Sequence, residues 1–328
     1  MLSLQSPLAT RVQRAPHILP PPPVPVAPVF QTAASCHSIF GMPNALYHAH
    51  PSLSHSLMRY LEDNVAPIQF WHRSWLNPER SECDKTRSTA TGNIFHDAME
   101  DFPSFTAKVS SGVIKALPGV KFTNKPLCVG GARGGQLDMI LTARQRLMAI
   151  PYIREAIETG QTEVSHFVEC PLPSWSADAL GQDTITLRCR PDLETEKIVL
   201  HWKTVATWNI TNPGRLGRHI EEFRYLECLA HYRRMDRLRG IPERRHIMVM
   251  VQSGAPFEIR TIEPGKDWLD EKQVYGEKAV ERFCELYGKY GNAPWPDFAE
   301  RPQPVFKPGE GGSYGITVPE SFNSRYFD

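Results

Sequence analysis

Residues 187–204 read L-R-C-R-P-D-L-E-T-E-K-I-V-L-H-W-K-T, and the two halves of this stretch share a period of two. Ile185, Leu187 and Cys189 alternate with Thr186, Arg188 and Arg190; Ile198, Leu200 and Trp202 alternate with Val199, His201 and Lys203. Alternation of this kind marks a half-buried strand. The expectation is therefore two short strands joined by a turn. Arg190 and Asp192 leave the first on one side, and His201 and Lys203 share a face of the second. An aspartate and a lysine at neighbouring strand ends can hold a divalent cation beside a phosphate.

Outward from this stretch, the reading places a strand at 166–170 and a Pro-rich link before the first of the two strands. A helix follows over about 216–238, with Tyr225, Cys228, Leu229 and Tyr232 in one stripe, the usual mark of core packing. Strands at 246–251 and 257–262 and a helix over about 268–287 complete the C-terminal half. On the N-terminal side, Ser52 or Ser54 caps a helix carrying Leu57, Tyr60 and Leu61, and residues 71–91 read as an irregular connection. A helix over about 93–102 gathers Ile94, Phe95, Ala98, Met99 and Phe102 on one face. His96 falls on the other side, one turn from Glu100, where a histidine by itself is usually a solvent-facing residue. The run Gly130 to Gly135 lacks the G-K-[ST] ending of a phosphate loop and reads as a flexible loop before a helix over about 136–159. The order of elements predicts an α/β fold with a mixed central sheet flanked by helices.

Composition bounds the rest. The 328 residues are 41% hydrophobic, enough for one large core, and the net charge of +1 gives no global basic excess. Any contact with nucleic acid has to come from local patches such as Arg233, Arg234, Arg237, Arg239, Arg244 and Arg245, although a charge run is more commonly a solvated helix face. Seven scattered cysteines without a C-x-x-C pair argue against a disulfide framework and against a zinc or iron–sulfur site, and favour the reduced thiols of a cytoplasm. No apolar run reaches the length of a membrane span. The head, 1–45, contains the stretch L-P-P-P-P-V-P from Leu19 and no acid, so a disordered or polyproline segment is expected there. The tail, 301–328, is expected to be loose.

Arg190-Pro191-Asp192, a spacer, then His201-Trp202-Lys203-Thr204 resembles the motif of the PD-(D/E)XK nucleases, and within them the RecE-type exonucleases. The serine-rich segment after Tyr47, the T-x-T-G-x-x-x-H phrase ending at His96 and the phrase Pro294-Trp295-Pro296-Asp297-Phe298 are similar to other parts of that domain, so the resemblance spans roughly residues 45–300. It departs from the family at two places: His201 stands where an acid is usual, and Cys228 where a glutamine between two tyrosines is usual.

The resemblance implies a restriction-endonuclease-like core and a metal-dependent exonuclease. Such an enzyme degrades duplex DNA ends in phage or prophage recombination, in a bacterial cytoplasm. A single-strand annealing protein is the implied partner, and a ring-shaped homo-oligomer the implied assembly. Mg²⁺ or Mn²⁺ is the implied cofactor, with Asp192 the leading ligand, Glu169 the second acid, the Trp202 carbonyl a backbone donor, and His96 and His201 further members of the shell. Lys203 then orients the attacking water or stabilises the transition state. Tyr225, Cys228 and Tyr232 support the site, and Arg133, Arg190, Arg233 and Arg234 are the candidate DNA contacts. A neutral imidazole at 201 removes one charge and one oxygen ligand, favours transition metals over Mg²⁺, and costs ~10²–10³ in rate if the lost contact is catalytic. It leaves open a metal-shifted enzyme, a DNA- or host-factor-binding pseudonuclease, and an alteration that inactivates the protein.

Overall fold

Pro191 decides how the two central strands are used. It has no N–H to give a ladder, so the first strand ends at Cys189 and the chain passes out of one sheet into another. A computed structural model shows this directly; it describes residues 36–80, 87–111, 136–205 and 210–297. The N-terminal half comprises β1 (Cys36–Ile39), α1 (Asn44–Ala49), α2 (His55–Met58), a 3₁₀ turn (Arg59–Leu61), α3 (Pro67–Arg73), α4 (Arg87–Glu100), α5 (Phe102–Ser110), α6 (Gln136–Met148) and α7 (Pro151–Thr159). There follow β2 (Gln161–Thr162), β3 (Ser165–Pro171), α8 (Ser174–Leu180), β4 (Thr184–Cys189), β5 (Leu193–Glu194) and β6 (Ile198–Val205). The chain then forms α9 (Pro213–Glu222), α10 (Tyr225–Leu238), β7 (Arg245–Gln252), β8 (Ile259–Ile262) and α11 (Lys266–Tyr290).

The strands form a three-stranded antiparallel sheet, β1-β3-β4, and a five-stranded mixed sheet, β2-β5-β6-β7-β8, in which β6 and β7 are parallel. The expected pairing of residues 185–189 with 198–203 is corrected by this arrangement. β4 pairs with β3, while β6 turns back on β5, the tight turn being closed by the Thr195 hydroxyl accepting from the N–H groups of Lys197 and Ile198. A parallel β6–β7 pair needs a crossover, and α9 and α10 lie within that connection. Gly160 serves the join of α7 to β2: a Cβ there would lie 2.5 Å from the Ala156 carbonyl oxygen.

One face of β6 and β7 (Ile198, Leu200, Trp202, Ile247, Val249, Val251) buries against Ile94, Phe95, Ala98 and Met99 of α4 and against α6. These are the α4 positions whose spacing predicted an apolar face, and the edge of Trp202 meets Phe95 with ring centroids 6.3 Å apart. The opposite face (Val205, Met248, Met250) packs on Leu229 and Ala230 of α10 and on Leu269 of α11. The three-stranded sheet packs with α2, α3, α10 and α11, and Trp295, in the closing Pro-Trp-Pro phrase, stacks on Phe70 at 5.0 Å. Helices thus cover both faces of a mixed sheet, as the element order predicts.

Local chemistry moves several boundaries. The helix expected over 136–159 breaks at Ile150, because Pro151 opens α7 from its first turn. The one expected over 216–238 starts earlier, with Asn212 accepting from Arg215 N–H, and breaks at Arg224, whose φ is 55°. The helix expected over 93–102 starts at Arg87 and ends at Glu100, because Asp101 caps α5 through the Ser104 N–H. Residues 36–39, assigned to the Pro-rich head, are strand β1 paired with β3. The proline tract and the tail 301–328 lie outside the described residues.

The two sheets are tied by buried charge. Glu194 on β5 accepts from Arg244 at 2.9 Å and lies 2.6 Å from His166 Nε2 on β3, whose Nδ1 meets Ser38 Oγ on β1 at 2.8 Å. Arg244 also donates to Asp236 of α10 at 2.8 and 2.5 Å. Removing one partner leaves the others charged and buried, so Glu194→Ala should lower the unfolding free energy by about 3–5 kcal/mol in urea titration; a loss below ~1 kcal/mol, the level of a surface pair, would contradict this role. Stability also carries a pH signature. Burial, with nearby cations adding to it, lowers His55 to about 3, and burial lowers His231 to about 4 despite the Arg188 carbonyl that its Nε2 meets. Both fall below the unfolded value near 6.5, so the unfolded chain binds more protons below that pH. Their contribution is present above about pH 6.5 and is lost as pH falls toward 3–4. The urea midpoint of His231→Gln is accordingly expected to fall less between pH 7 and 5 than that of the parent, and an equal fall would count against the assignment.

Candidate metal centre

Asp192 sits immediately after the break at Pro191, between the last residue of β4 and the first of β5. Its Oδ2 accepts the Trp202 backbone N–H at 2.6 Å and lies 3.9 Å from Lys203 Nζ, and its Oδ1 lies 3.4 Å from His96 Nδ1. Burial alone would raise this carboxyl, but His96, Lys203 and the Trp202 N–H together hold it below the usual aspartate value. Lys203 shows the converse. Burial pulls it down, and the Asp192 charge outweighs that, so the ammonium is retained. His96 reaches Asp192 because the apolar stripe of α4 is pinned to Trp202, which turns the other side of that helix toward the turn at 190–192.

The second acid is Glu163, at the entrance to β3. Ligand atoms of His96, Glu163 and Asp192 all lie within 4.8 Å of one another. Burial and then the charge of Asp192 push the Glu163 carboxyl up to about 7, against the opposing pull of Arg190, 3.8 Å away. Two carboxylates that resist sharing a site, with an imidazole beside them, are what a divalent cation relieves, so the donor set fits such an ion. One nitrogen and two oxygens suit Mn²⁺ well and remain compatible with Mg²⁺. Glu163 has φ 53°, a conformation no sequence pattern announces; the only signal in the chain is an acid after the turn-forming Gly160 and directly before a strand.

The structure therefore brings His96, Asp192 and Lys203 together as the sequence predicts, and Trp202 joins them through its N–H. Tyr225 lies 5.9 Å from Lys203 Nζ, and the Cys228 thiol, pushed up to about 12 by burial against the pull of Lys203, is neutral. Tyr232 donates to the Arg190 carbonyl at 2.8 Å.

Other expected members stand elsewhere. Glu169 is held on the three-stranded sheet by the hydroxyls of Thr184 at 2.6 Å and Thr186 at 3.0 Å, outside the converging group. His201 is 2% exposed, meets the Tyr232 ring edge-on at 4.4 Å, and burial lowers it to about 3, so it is a neutral core imidazole beside the site. Arg190 is committed inward, to Ser165, Asn44 and the Met42 carbonyl and over the Tyr47 ring, where it steadies Glu163 rather than meeting solvent. Arg233 is buried between Glu243 and Asp270, and Arg234 donates to Cys170 Sγ at 3.1 Å. Neither is a free surface cation, as their place in an arginine run had suggested. Arg133 lies outside the described residues.

No protein-family model matches the sequence, and no curated protein matches it. Among solved structures, the chain is similar to one named "Putative exonuclease" from Eubacterium rectale, with a TM-score of 0.52 and 15% identity, over 79% of this chain and 87% of that one. A second solved chain, SSO0001, is matched with a TM-score of 0.25 and 12% identity over 68% of this chain and 85% of that one, too slight a likeness to carry any argument. The first likeness shows the fold: a mixed sheet flanked by helices, shared with that structure.

Proposed function

We propose that the protein is a metal-dependent nuclease hydrolysing phosphodiester bonds. The observation that carries this reading is the half-buried Asp192 carboxylate, fixed by the Trp202 N–H and flanked by Lys203 and His96, with Glu163 within reach of the same point. Asp192, Glu163 and His96 would hold the cation. When bound, the ion supplies charge neutralisation and a more acidic water. Lys203 keeps its proton, so it serves as an electrostatic donor toward the charge that builds on the phosphate oxygens rather than as a base. Arg190 keeps Glu163 in place. The motif around Arg190-Pro191-Asp192 and Trp202-Lys203-Thr204, together with the fold shared with the Eubacterium rectale structure, supports an exonuclease of RecE type acting on duplex ends. On that reading an annealing protein is its partner in phage-type recombination and a ring its assembly.

A second reading rests on His201. With a neutral imidazole in the seat usually held by an acid, the same scaffold would bind DNA without cutting it. The two readings separate in one assay. End-labelled duplex incubated with Mn²⁺ or Mg²⁺ is expected to yield short products with the parent, and Asp192→Asn and Lys203→Ala are each expected to slow cleavage by ~10²–10³. Folded parent giving no products with either metal, while retaining DNA, would sink the nuclease reading in favour of the second. Calorimetry with Mn²⁺ alone tests the ligand assignment: Glu163→Gln is expected to weaken binding by about 10-fold or more, and Glu169→Gln to leave it unchanged. The reverse result would return Glu169 to the site.

A further inference from the structure

Arg190 stands beside the second acid of the centre without bonding to it. Its Nη1 lies 3.8 Å from the Glu163 carboxylate, beyond hydrogen-bond distance, although the guanidinium is only 8% exposed. Other arginines of the chain close on their acids. Arg244 reaches Asp236 at 2.8 and 2.5 Å, and Arg245 holds both oxygens of Glu263, at 2.8 and 2.7 Å. Fork-to-carboxylate pairs of that kind are the strong ones, so the gap at Glu163 needs a cause.

The segment after β1 supplies it. Each nitrogen of the Arg190 guanidinium donates to a neutral acceptor: Nε to Ser165 Oγ at 2.9 Å, Nη1 to Asn44 Oδ1 at 2.5 Å and Nη2 to the Met42 carbonyl at 2.9 Å. Its face lies over the buried Tyr47 ring, with Cζ 4.1 Å from the centroid. Arg188, two residues earlier on β4, shares that ring at 5.0 Å and donates to the His50 carbonyl. Residues 42–50 contain no acid, so the segment turns carbonyls, one amide and one ring on two guanidiniums and offers them no carboxylate. With its nitrogens engaged in this way, Arg190 acts on Glu163 through its field and leaves the carboxylate oxygens open. We propose that Asn44 and Tyr47 are positioning residues that keep Arg190 from capturing Glu163, so that this carboxylate stays available to the cation. The inference rests on the nuclease reading, in which Glu163 is a ligand, and adds the residues that set the affinity for the ion. Without the Asn44 bond, Nη1 is free to turn on Glu163, and a cation then has to displace a charge-assisted bond before it binds. Asn44 is exposed, so its replacement leaves the core as it is.

The test is calorimetry of the full chain with Mn²⁺ alone. Asn44→Ala is expected to weaken binding about 10-fold, the worth of one hydrogen bond between charged groups. Asn44→Asp still takes Nη1 and is expected to bind at least as tightly as the parent. Tyr47→Phe keeps the ring face under the guanidinium and is expected to match the parent, whereas Tyr47→Leu loses it and is expected to weaken binding. In an Arg190→Gln background no guanidinium competes, so adding Asn44→Ala is expected to change nothing, a coupling that general loosening of the segment would not give. Melting temperatures close to the parent's show that the variants are folded, and the exposed Asn44 pair decides the matter by itself if a variant at 47 or 190 does not fold. Parent affinity in Asn44→Ala, an equal loss in Asn44→Asp, or the full loss in the Arg190→Gln background would overturn the proposal. If Glu163→Gln weakens Mn²⁺ binding while Asn44→Ala does not, this inference alone fails. Parent affinity in Glu163→Gln removes the ligand assignment and this inference with it.

Discussion

The bond from the Trp202 N–H to Asp192 carries the arrangement of the site. It forms because Pro191 forbids β4 to continue, so that the chain leaves the three-stranded sheet with a carboxylate at the seam and enters the five-stranded sheet one residue later. A carboxylate drawn even partly out of water needs compensation, and Asp192 has it from an N–H on β6, the ammonium of Lys203 on the same strand and the imidazole of His96 on α4. Each partner is placed by apolar packing on the far side of its element: Trp202 and Phe95 lock β6 against α4, and Leu229 and Ala230 hold α10 over the other face. The centre is therefore a by-product of a well-packed core. Its precision comes from side chains that never touch it.

The sequence carried much of this, for physical reasons that can be named. Period-two alternation survives in β6 because Ile198, Leu200 and Trp202 share a core-facing side while Lys203 on the other side reaches Asp192, and the apolar stripe of α4 is legible because one side of the helix is buried and the other is not. His96, Asp192 and Lys203 follow from those patterns and the motif. Glu163 did not. Its place depends on a left-handed backbone at one residue and on Arg190 turning inward to Tyr47, which no local pattern encodes. Glu169 looked equivalent because it too lies beside a strand, yet its position in β3 turns it to the threonines of β4. The arginines of 233–245 misled in the opposite sense. A run of cations reads as surface, whereas Arg233 and Arg244 are consumed by Glu243, Asp270, Asp236 and Glu194 in holding the core together.

The histidine at 201 is the point where motif and geometry diverge. On β6 it shares the face of Lys203, the position from which an acid would extend toward a cation. Buried against Tyr232 and stripped of its charge, it contributes shape and neutrality. The negative charge available to a cation then comes from Asp192 and Glu163, which are drawn from different segments and steadied by different partners. A centre built in this way draws its negative charge from two separate segments, one acid at the β4–β5 break and the other at the entrance to β3. Burial and then the field of Asp192 raise the Glu163 carboxyl, with Arg190 and Lys203 in opposition.

The most direct test of this account is the anomalous scattering of Mn²⁺ diffused into crystals of the full chain. The account predicts one ion whose protein ligands are the carboxylates of Asp192 and Glu163 and the imidazole of His96, with His201 and Glu169 outside its coordination shell. An ion bound through Glu169 or His201 in place of Glu163, or bound without Asp192, would contradict it.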